Sequence, residues 1–220
     1  MGITQGANMA RPQTDIEAGR ALLLDQVEDL VRKRGSADIA MTELASAAGM
    51  SPSNLYRFFE SKEALMEAVA EKWFADKVAI MEEVTASDLP VRDKLFAFFA
   101  RRFGVMNARF NEEPELFRSY CELGEQYIDV IRGYIDLGDH YLSVIVAEAL
   151  DEGYFGTLSI DEAVSLINQM VSPYCMPEPL THIGHKLSED KLARIVDTIF
   201  IGLGRAYEAS TRTTHIKIVS

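Results

Sequence analysis

The sequence predicts an all-α protein, and three observations carry this prediction. Apolar residues recur at three- and four-residue spacing along most of the 220 residues, which is the period of an amphipathic helix. Glycine and proline separate these stretches, as is typical at helix ends. No alternating strand pattern precedes the last few residues, 215–219. We therefore expect helices to build the whole core.

The predicted helices fall into two domains joined by a long helix. Residues 1–14 lack a periodic apolar pattern, and Leu89 followed by Pro90 ends the long helix. The predicted segments are a flexible arm (1–14), a three-helix domain (15–61), a connecting helix (62–88), a larger helical domain (89–210) and a tail (211–220).

Within the three-helix domain, residues 41–59 predict two short helices that meet at a tight turn. A longer helix over residues 16–34 precedes them. The first short helix stops at Gly49, because glycine tolerates the left-handed conformation that is common at helix ends. The second begins two residues later, since Ser51 is a good N-cap and Pro52 suits the first helical position.

Side chains of the second short helix divide between two faces. Leu55 and Phe59, four residues apart, point inward, and polar side chains point outward near the N-terminal end. This layout is typical of the recognition helix in a helix-turn-helix. Ser61 then caps a third helix with Lys62 in its first turn, where the helix dipole disfavours a cation. Lys62 is therefore expected to have another partner.

Net charge limits how this motif can bind nucleic acid. The chain carries a formal charge of -12, and residues 1–60 contain six basic and eight acidic side chains. Phosphate binding rewards lysine and arginine. DNA binding must therefore depend on a few well-placed donors rather than on a broad positive field, and it should need two copies of the motif.

Residues 49–65, GMSPSNLYRFFESKEAL, resemble the N-terminal signature of the TetR/AcrR family of regulators. The resemblance extends over about residues 16–75, and the larger domain matches the family only in length and helix content. It implies an Ω-shaped homodimer, a palindromic operator in double-stranded DNA, and a small-molecule effector bound in the larger domain. The resemblance thus implies a ligand-responsive DNA-binding regulator that acts as a repressor.

Site residues follow from the resemblance by position. The expected contacts are Thr42 and Ser51 with the DNA backbone, Ser53 and Asn54 with base edges, Tyr56 and Lys62 with phosphates, and Arg57 as a further candidate. An amide such as Asn54 can offer a paired donor and acceptor to adenine. One position departs from the family, because Ala40 stands where a Thr or Ser cap is usual. The missing capping side chain should destabilise the first short helix by about 1 kcal/mol.

Aromatic and methionine side chains concentrate between residues 91 and 150. Buried tyrosine hydroxyls need partners and methionine adapts to irregular shapes, so some of these residues are expected to line a pocket for an apolar or aromatic effector. The predicted contacts are Phe103, Met106, Tyr120 and Tyr127, and the alternative is that they are core residues. Negative net charge favours a neutral or cationic effector. A carboxylate stays open, because it can pair with Arg101, Arg102, Arg109 or Arg118.

Two apolar stripes near the C-terminus predict a pair of amphipathic helices. The resemblance makes these helices the dimer interface, a four-helix bundle shared by two subunits. The predicted interface residues are Leu166, Met170, Ile195, Ile199, Phe200 and Leu203.

Several classes of protein are excluded by composition and motifs. The two cysteines, Cys121 and Cys175, build no disulfide framework, and a reducing compartment, the cytoplasm, is expected. The absence of an apolar leader and of an 18-residue apolar run predicts no membrane partner. Neither a Gly-rich phosphate loop nor a nucleophile elbow occurs, so no enzyme is expected. The histidines lack ligand spacing, so neither metal nor cofactor is expected.

One alternative function remains open at this point. Paired short helices also serve in contacts between proteins, so the chain could be a helical scaffold that acts without binding an operator. Operator binding in vitro distinguishes the two hypotheses.

Overall fold

A computed structural model describes residues 13–203, and within that range every regular element is a helix. The all-α prediction is confirmed for these residues. The α-helices are α1 (Gln13–Arg34), α2 (Met41–Ala47), α3 (Pro52–Leu55), α4 (Lys62–Thr85), α5 (Val91–Glu112), α6 (Pro114–Gln126), α7 (Ile128–Asp151), α8 (Ile160–Cys175), α9 (Pro177–Ile183) and α10 (Glu189–Gly202). A single 3-10 turn, Gly184–Lys186, follows α9.

The two ends of the chain lie outside the described residues. Helix α1 begins at Gln13, inside the segment that the sequence assigns to a flexible arm. The rest of that arm, the tail and the alternating pattern at 215–219 are not described.

The chain divides into two compact units. Among the described residues, the first unit consists of 13–79 and 105–137, and the second consists of 80–104 and 138–203. Residues 105–137 thus pack with the N-terminal helices. The domain boundaries given in the sequence analysis, 15–61, 62–88 and 89–210, describe expected functions and stay predictions.

In the first unit, α6 shares a hydrophobic core with the helix-turn-helix. The buried core residues are Leu23, Val27 and Val31 of α1, Leu44 and Ala45 of α2, Leu55 and Phe59 around α3, Leu65, Met66 and Val69 of α4, and Leu116 and Leu123 of α6. Burial of each large apolar side chain contributes about 1.5–3 kcal/mol. The amphipathic face of α6 therefore holds that helix against the motif.

Exposed ion pairs join the same helices at the surface of the first unit. Arg32 of α1 donates to the carboxylate of Glu113, just before α6, at 2.7 Å. Lys72 of α4 donates to Asp25 at 2.6 Å and to Glu28 at 3.0 Å. Exposed pairs of this kind contribute little each, so the shared apolar core carries most of the stability.

In the second unit, α5 is tied to α7 and α10 by charged side chains. Nζ of Lys94 donates to both carboxylate oxygens of Glu148 on α7, at 3.0 and 2.7 Å. Arg92 donates through Nη2 to Asp197 of α10 at 2.6 Å. Because Lys94 is only 6% exposed, its pairing with Glu148 offsets the free energy of burying the cation.

Between residues 13 and 203, no helix combines the length and the apolar character that crossing a membrane requires.

Candidate DNA-binding surface

A tight turn separates α2 from α3. Gly49 adopts φ +65°, the left-handed conformation that the sequence predicts there. The backbone N–H of Met50 donates to the carbonyl of Ala45 at 2.9 Å, and the N–H of Gly49 donates to that of Ser46 at 3.1 Å. These two bonds form a Schellman motif, which ends α2 and directs the chain into α3.

The next segment, residues 51–59, is called the recognition segment below. The Ser51 hydroxyl accepts the backbone N–H of Asn54 at 3.3 Å, and Pro52 occupies the first helical position, as predicted. Regular α-helix covers only Pro52–Leu55, and beyond it the N–H groups of Arg57 and Phe58 donate to the carbonyls three residues earlier, at 3.2 and 2.9 Å. The recognition segment is therefore one helical turn continued by a tighter turn.

Helix α1 holds the far end of the recognition segment in place. Leu55 and Phe59 are fully buried, which confirms that they point inward. Arg20 donates to the carbonyl of Phe58 at 2.8 Å, and its guanidinium lies 4.6 Å from the centre of the Phe59 ring. A Cβ at Gly19 would lie 2.4 Å from the Phe58 ring, so only glycine allows this approach. Neither Arg20 nor Gly19 could be identified from the sequence, because both contact residues nearly forty positions away.

Polar side chains of the motif face solvent where the sequence places them. The exposed members of the predicted set are Thr42, Ser51, Ser53, Tyr56 and Arg57, and Asn54 is half-buried. Tyr56 is 50% exposed although tyrosine is largely apolar, so its ring is available for contact. All of these residues belong to the first unit, and their roles in DNA binding stay predictions.

The start of α2 lacks a side-chain cap. Ala40 occupies the N-cap position with an extended backbone and makes no capping hydrogen bond. In α4, by contrast, the Ser61 hydroxyl accepts the N–H of Ala64 at 3.1 Å. Because Ala40 stands at the N-cap, α2 lacks the capping hydrogen bond that α3 and α4 both have.

Lys62 has an intramolecular partner that no local sequence pattern predicts. Its ammonium group donates to the carboxylate of Asp38, in the loop between α1 and α2. The hydrogen bond with Lys62 lowers the pKa of Asp38 below its ordinary value. The same bond raises the pKa of Lys62, and the Tyr127 hydroxyl acts in the same direction. A phosphate that binds Lys62 must therefore displace a carboxylate.

Other cations near the motif are also paired with acidic groups. Arg34 donates to Glu43 of α2, and Arg32 is held by Glu28 and Glu113. These pairs explain why a domain with several basic side chains has little free positive charge. They are exposed, so an exchange of carboxylate for phosphate requires little free energy.

Three of the four predicted effector contacts lie in the first unit. Tyr120 stacks on Trp73, with ring centroids 4.2 Å apart, and burial raises the pKa of Tyr120. Tyr120 and Tyr127 are partly buried against the core of the helix-turn-helix, and Met106 is 2% exposed. Phe103 belongs to the second unit, where its ring packs edge-on against Tyr174. Their contact with an effector stays a prediction.

The predicted dimer residues differ in exposure. On α8, Leu166 and Met170 are 36% and 43% exposed, which is high for large apolar side chains. On α10, Ile199 is fully buried within its own unit, and Phe200 packs against Phe155 with ring centroids 5.0 Å apart. The remaining two, Ile195 and Leu203, are half-buried. The α8 face is thus the more accessible part of the predicted interface.

The cysteines and acidic residues were also considered as a reactive thiol or a metal site in the described part of the chain. Burial raises the pKa of the Cys121 thiol to about 11, so little thiolate is present at neutral pH. No group of three or more His, Cys, Asp or Glu side chains is arranged for a metal ion within residues 13–203.

Comparisons with known proteins place both regions of the chain in one family. The model described as bacterial regulatory proteins, tetR family, matches residues 23–69, which include the whole recognition segment. The model described as tetracyclin repressor-like, C-terminal domain, matches residues 91–196.

Individual relatives agree with these matches. The HTH-type transcriptional regulator SAR0097 of Staphylococcus aureus (strain MRSA252) is 29% identical over 108 residues, covering 47% of this chain and 56% of that protein. The HTH-type transcriptional repressor KstR2 of Rhodococcus jostii (strain RHA1) is 29% identical over 104 residues, 46% of this chain and 51% of that protein. The matched part thus spans about half the length of these curated relatives.

Solved structures show the same fold. The transcriptional regulator FadR from Bacillus subtilis, determined in complex with stearoyl-CoA, is similar with a TM-score of 0.56. The sequences are 17% identical, and the match covers 84% of this chain and 99% of that chain.

Proposed function

Because the chain belongs to the TetR family of bacterial transcriptional regulators, we propose that it is a repressor that binds a palindromic operator as a homodimer and releases it when a small molecule binds. The observation that carries this proposal is the recognition segment. Its start is fixed by the turn at Gly49 and the Ser51 cap, and its end is fixed by Arg20. A rigid segment of this kind presents side chains to the major groove at low entropic cost.

The proposed roles of Thr42, Ser51, Ser53, Asn54, Tyr56 and Lys62 follow from the chemistry of their side chains. The amide of Asn54 reads adenine, and the Ser53 hydroxyl contacts a neighbouring base edge. Thr42, Ser51 and Tyr56 donate to phosphates and set the register of the protein on the duplex. Lys62 exchanges Asp38 for a phosphate in the bound state.

Dimerisation compensates for the small number of free cations. A single motif gains few phosphate contacts, whereas two linked motifs bind successive major grooves with a high effective concentration. The exposed apolar pair Leu166 and Met170 on α8 supports an interface there, because exposed methionine and leucine side chains of neighbouring turns gain free energy when a partner covers them.

Effector release is proposed to be a shift between two conformations. Helix α4 begins at Lys62 and contributes residues to both units, and α6 shares its core with the motif. An effector that binds more tightly to one arrangement of these helices changes the spacing of the two recognition segments in the dimer. The stearoyl-CoA complex of the similar FadR protein supports a small molecule as the signal.

The proposal is tested with genomic fragments selected by the full chain. We expect enriched fragments that share an inverted repeat, with half-sites about one helical turn apart. Binding to the selected duplex is then measured by fluorescence anisotropy at several salt concentrations. Fragments no more enriched than random DNA would reject operator binding and favour the scaffold hypothesis.

A further inference from the structure

Arg102, on α5 in the second unit, has a buried polar atom without a partner. Its Nε is buried and makes no hydrogen bond. Burial also lowers the pKa of the guanidinium. The adjacent Arg101 is in the opposite situation, since it is exposed and donates to Glu83 at 2.7 Å. Two neighbouring arginines of one helix thus differ in burial and in pairing.

The other arginines considered as carboxylate partners are already paired with acidic side chains. Arg109 donates to Asp76 at 2.7 Å, and Arg118 is paired with Glu115 one turn earlier in α6. Cys175 and Asp139 lie close enough to Arg102 to raise its pKa against the effect of burial, but the Asp139 carboxylate also accepts the side-chain amide of Asn168 at 2.7 Å. Arg102 is therefore the arginine of this set whose charge has the least compensation.

Apolar side chains and a glycine lie beside the guanidinium of Arg102. The guanidinium lies 4.8 Å from the centre of the Phe98 ring. A Cβ built on Gly138 of α7 would lie 3.8 Å from Nη2 of Arg102 and 3.8 Å from Sδ of Met81 on α4. These are ordinary contact distances, so the three helices meet around a point where glycine leaves at least a methyl group of room.

A second buried polar group lies on the same part of α4. The hydroxyl of Thr85, one helical turn after Met81, is buried and has no hydrogen-bond partner. Proteins satisfy nearly all buried polar atoms, and an unsatisfied one destabilises the fold. The second unit thus contains two buried polar groups whose hydrogen-bonding capacity the protein itself does not satisfy.

We propose that Arg102 binds the carboxylate of the effector, whose remaining part is apolar and packs near Met81 and Phe98. This inference rests on the proposed function as a ligand-responsive regulator and specifies the chemical class of its ligand. A carboxylate matches the fork of the guanidinium with two parallel hydrogen bonds and neutralises its charge. The buried Nε of Arg102 lacks a hydrogen-bond partner in the free protein, and the carboxylate supplies that partner on binding.

Binding is tested with pairs of probes that differ only in charge. The probes are decanoate, palmitate and phenylacetate, each compared with its methyl ester by thermal shift and calorimetry on the full chain. We expect at least one acid to bind at least tenfold more tightly than its ester. No preference for any acid over its ester would overturn the proposal.

Variants locate the preference at Arg102. Arg102→Gln should reduce the affinity for the acid at least tenfold and leave that for the ester unchanged, and Arg102→Lys should give an intermediate loss. Arg101→Gln is the matched control, because Arg101 is exposed and paired with Glu83. The affinity of this variant for the acid should equal that of the wild type. Equal losses in Arg101→Gln and Arg102→Gln would contradict the assignment.

The unfolding temperature of the free chain separates a ligand site from a structural role. Arg102→Met removes a poorly compensated buried charge, so the ligand-free variant should unfold at the same or a higher temperature than the wild type. A drop of several degrees would show that Arg102 stabilises the fold and would overturn the proposal. Operator binding by the wild-type chain is measured separately. If the wild-type chain bound no operator, the proposed function would be rejected. If it bound the operator but bound no acid more tightly than the ester, only this inference would be rejected.

Discussion

Lys62 in the first unit and Arg102 in the second are both cations expected to bind anions, but they differ in burial and in pairing. Lys62 is partly exposed and is neutralised by Asp38, whereas Nε of Arg102 is buried without a partner. Exchanging one exposed carboxylate for a phosphate changes the free energy little, so the first site suits a reversible contact with a salt-dependent affinity. A guanidinium with a buried, unsatisfied N–H gains more free energy from one matched anion, so the Arg102 site suits selective recognition of a small molecule.

The largest expected effect tests whether the weakly charged first unit needs a second copy. Replacing both Leu166 and Met170 by glutamate places charges on the exposed apolar face of α8 and should yield monomers. Operator affinity should fall about 100-fold or more, because the second motif no longer binds at a high effective concentration. Sedimentation and anisotropy measure the two outcomes.

The control for this double variant is the same substitution at Ser165 and Gln169, which are exposed on α8 but polar. That variant should remain dimeric. A dimeric Leu166 and Met170 variant would place the interface elsewhere.

The second prediction separates base reading from phosphate binding within the first unit. Asn54→Ala should weaken binding to the operator by about 1–3 kcal/mol and relax its base preference. Lys62→Ala should weaken binding to all sequences alike and reduce the salt slope by about one. Anisotropy on the operator and on a scrambled duplex, at several salt concentrations, measures both effects.

Lys33→Ala is the control, since Lys33 is an exposed cation in the last turn of α1, several helical turns after Arg20, which contacts the recognition segment. It should change affinity less than Lys62→Ala. Equal loss of base preference in the Asn54 and Lys62 variants would reject the division of roles.

The third prediction concerns the competition between Asp38 and DNA. Asp38→Asn frees Lys62, so operator affinity should rise about two- to fivefold. Because Lys62 lowers the pKa of Asp38, the pair is intact at neutral pH and is lost only as the pH falls through that lowered pKa. The gain over wild type should therefore shrink at acidic pH.

Glu60→Gln controls for the removal of a negative charge near the recognition segment, because Glu60 is exposed and lies beside the segment. A gain as large in Glu60→Gln as in Asp38→Asn would mean that net charge, rather than release of Lys62, sets the affinity.

The smallest expected effect concerns stability. Ala40→Thr supplies the missing cap of α2 and should stabilise the first unit by about 0.5–1 kcal/mol. Chemical denaturation measures the difference. Ala47→Thr, at an exposed position within the same helix, should instead destabilise slightly, because threonine is a poorer helix former than alanine. A loss of stability in Ala40→Thr would contradict the capping argument.

Local chemistry explains which features of the motif could be predicted. The turn at Gly49, the cap at Ser51, the helix start at Pro52 and the inward direction of Leu55 and Phe59 are all found in the structure. Each depends on residues no more than about four positions apart, where backbone geometry and side-chain type decide the outcome. The same holds for Ala40, whose missing cap is visible in the sequence.

Contacts between distant segments depended on the tertiary structure. Asp38 pairs with Lys62 across 24 residues, and Arg20 donates to Phe58 across 38 residues. Helix α6 carries an amphipathic pattern, but no local signal says that its apolar face joins the core of the helix-turn-helix. Loop paths and packing bring these groups together, and periodicity within a helix contains no information about the neighbouring helix.

By itself the sequence determined the all-α fold of the described residues, the helix-turn-helix and the family, since these depend on helical period, capping residues and one continuous motif. Only the tertiary structure distinguished Arg102 from Arg101, although the two are neighbours and chemically identical. One points into the unit beside Gly138 and Met81, and the other reaches Glu83 at the surface. Burial and pairing decide what an arginine can bind, and both are properties of the packed helices rather than of the residue.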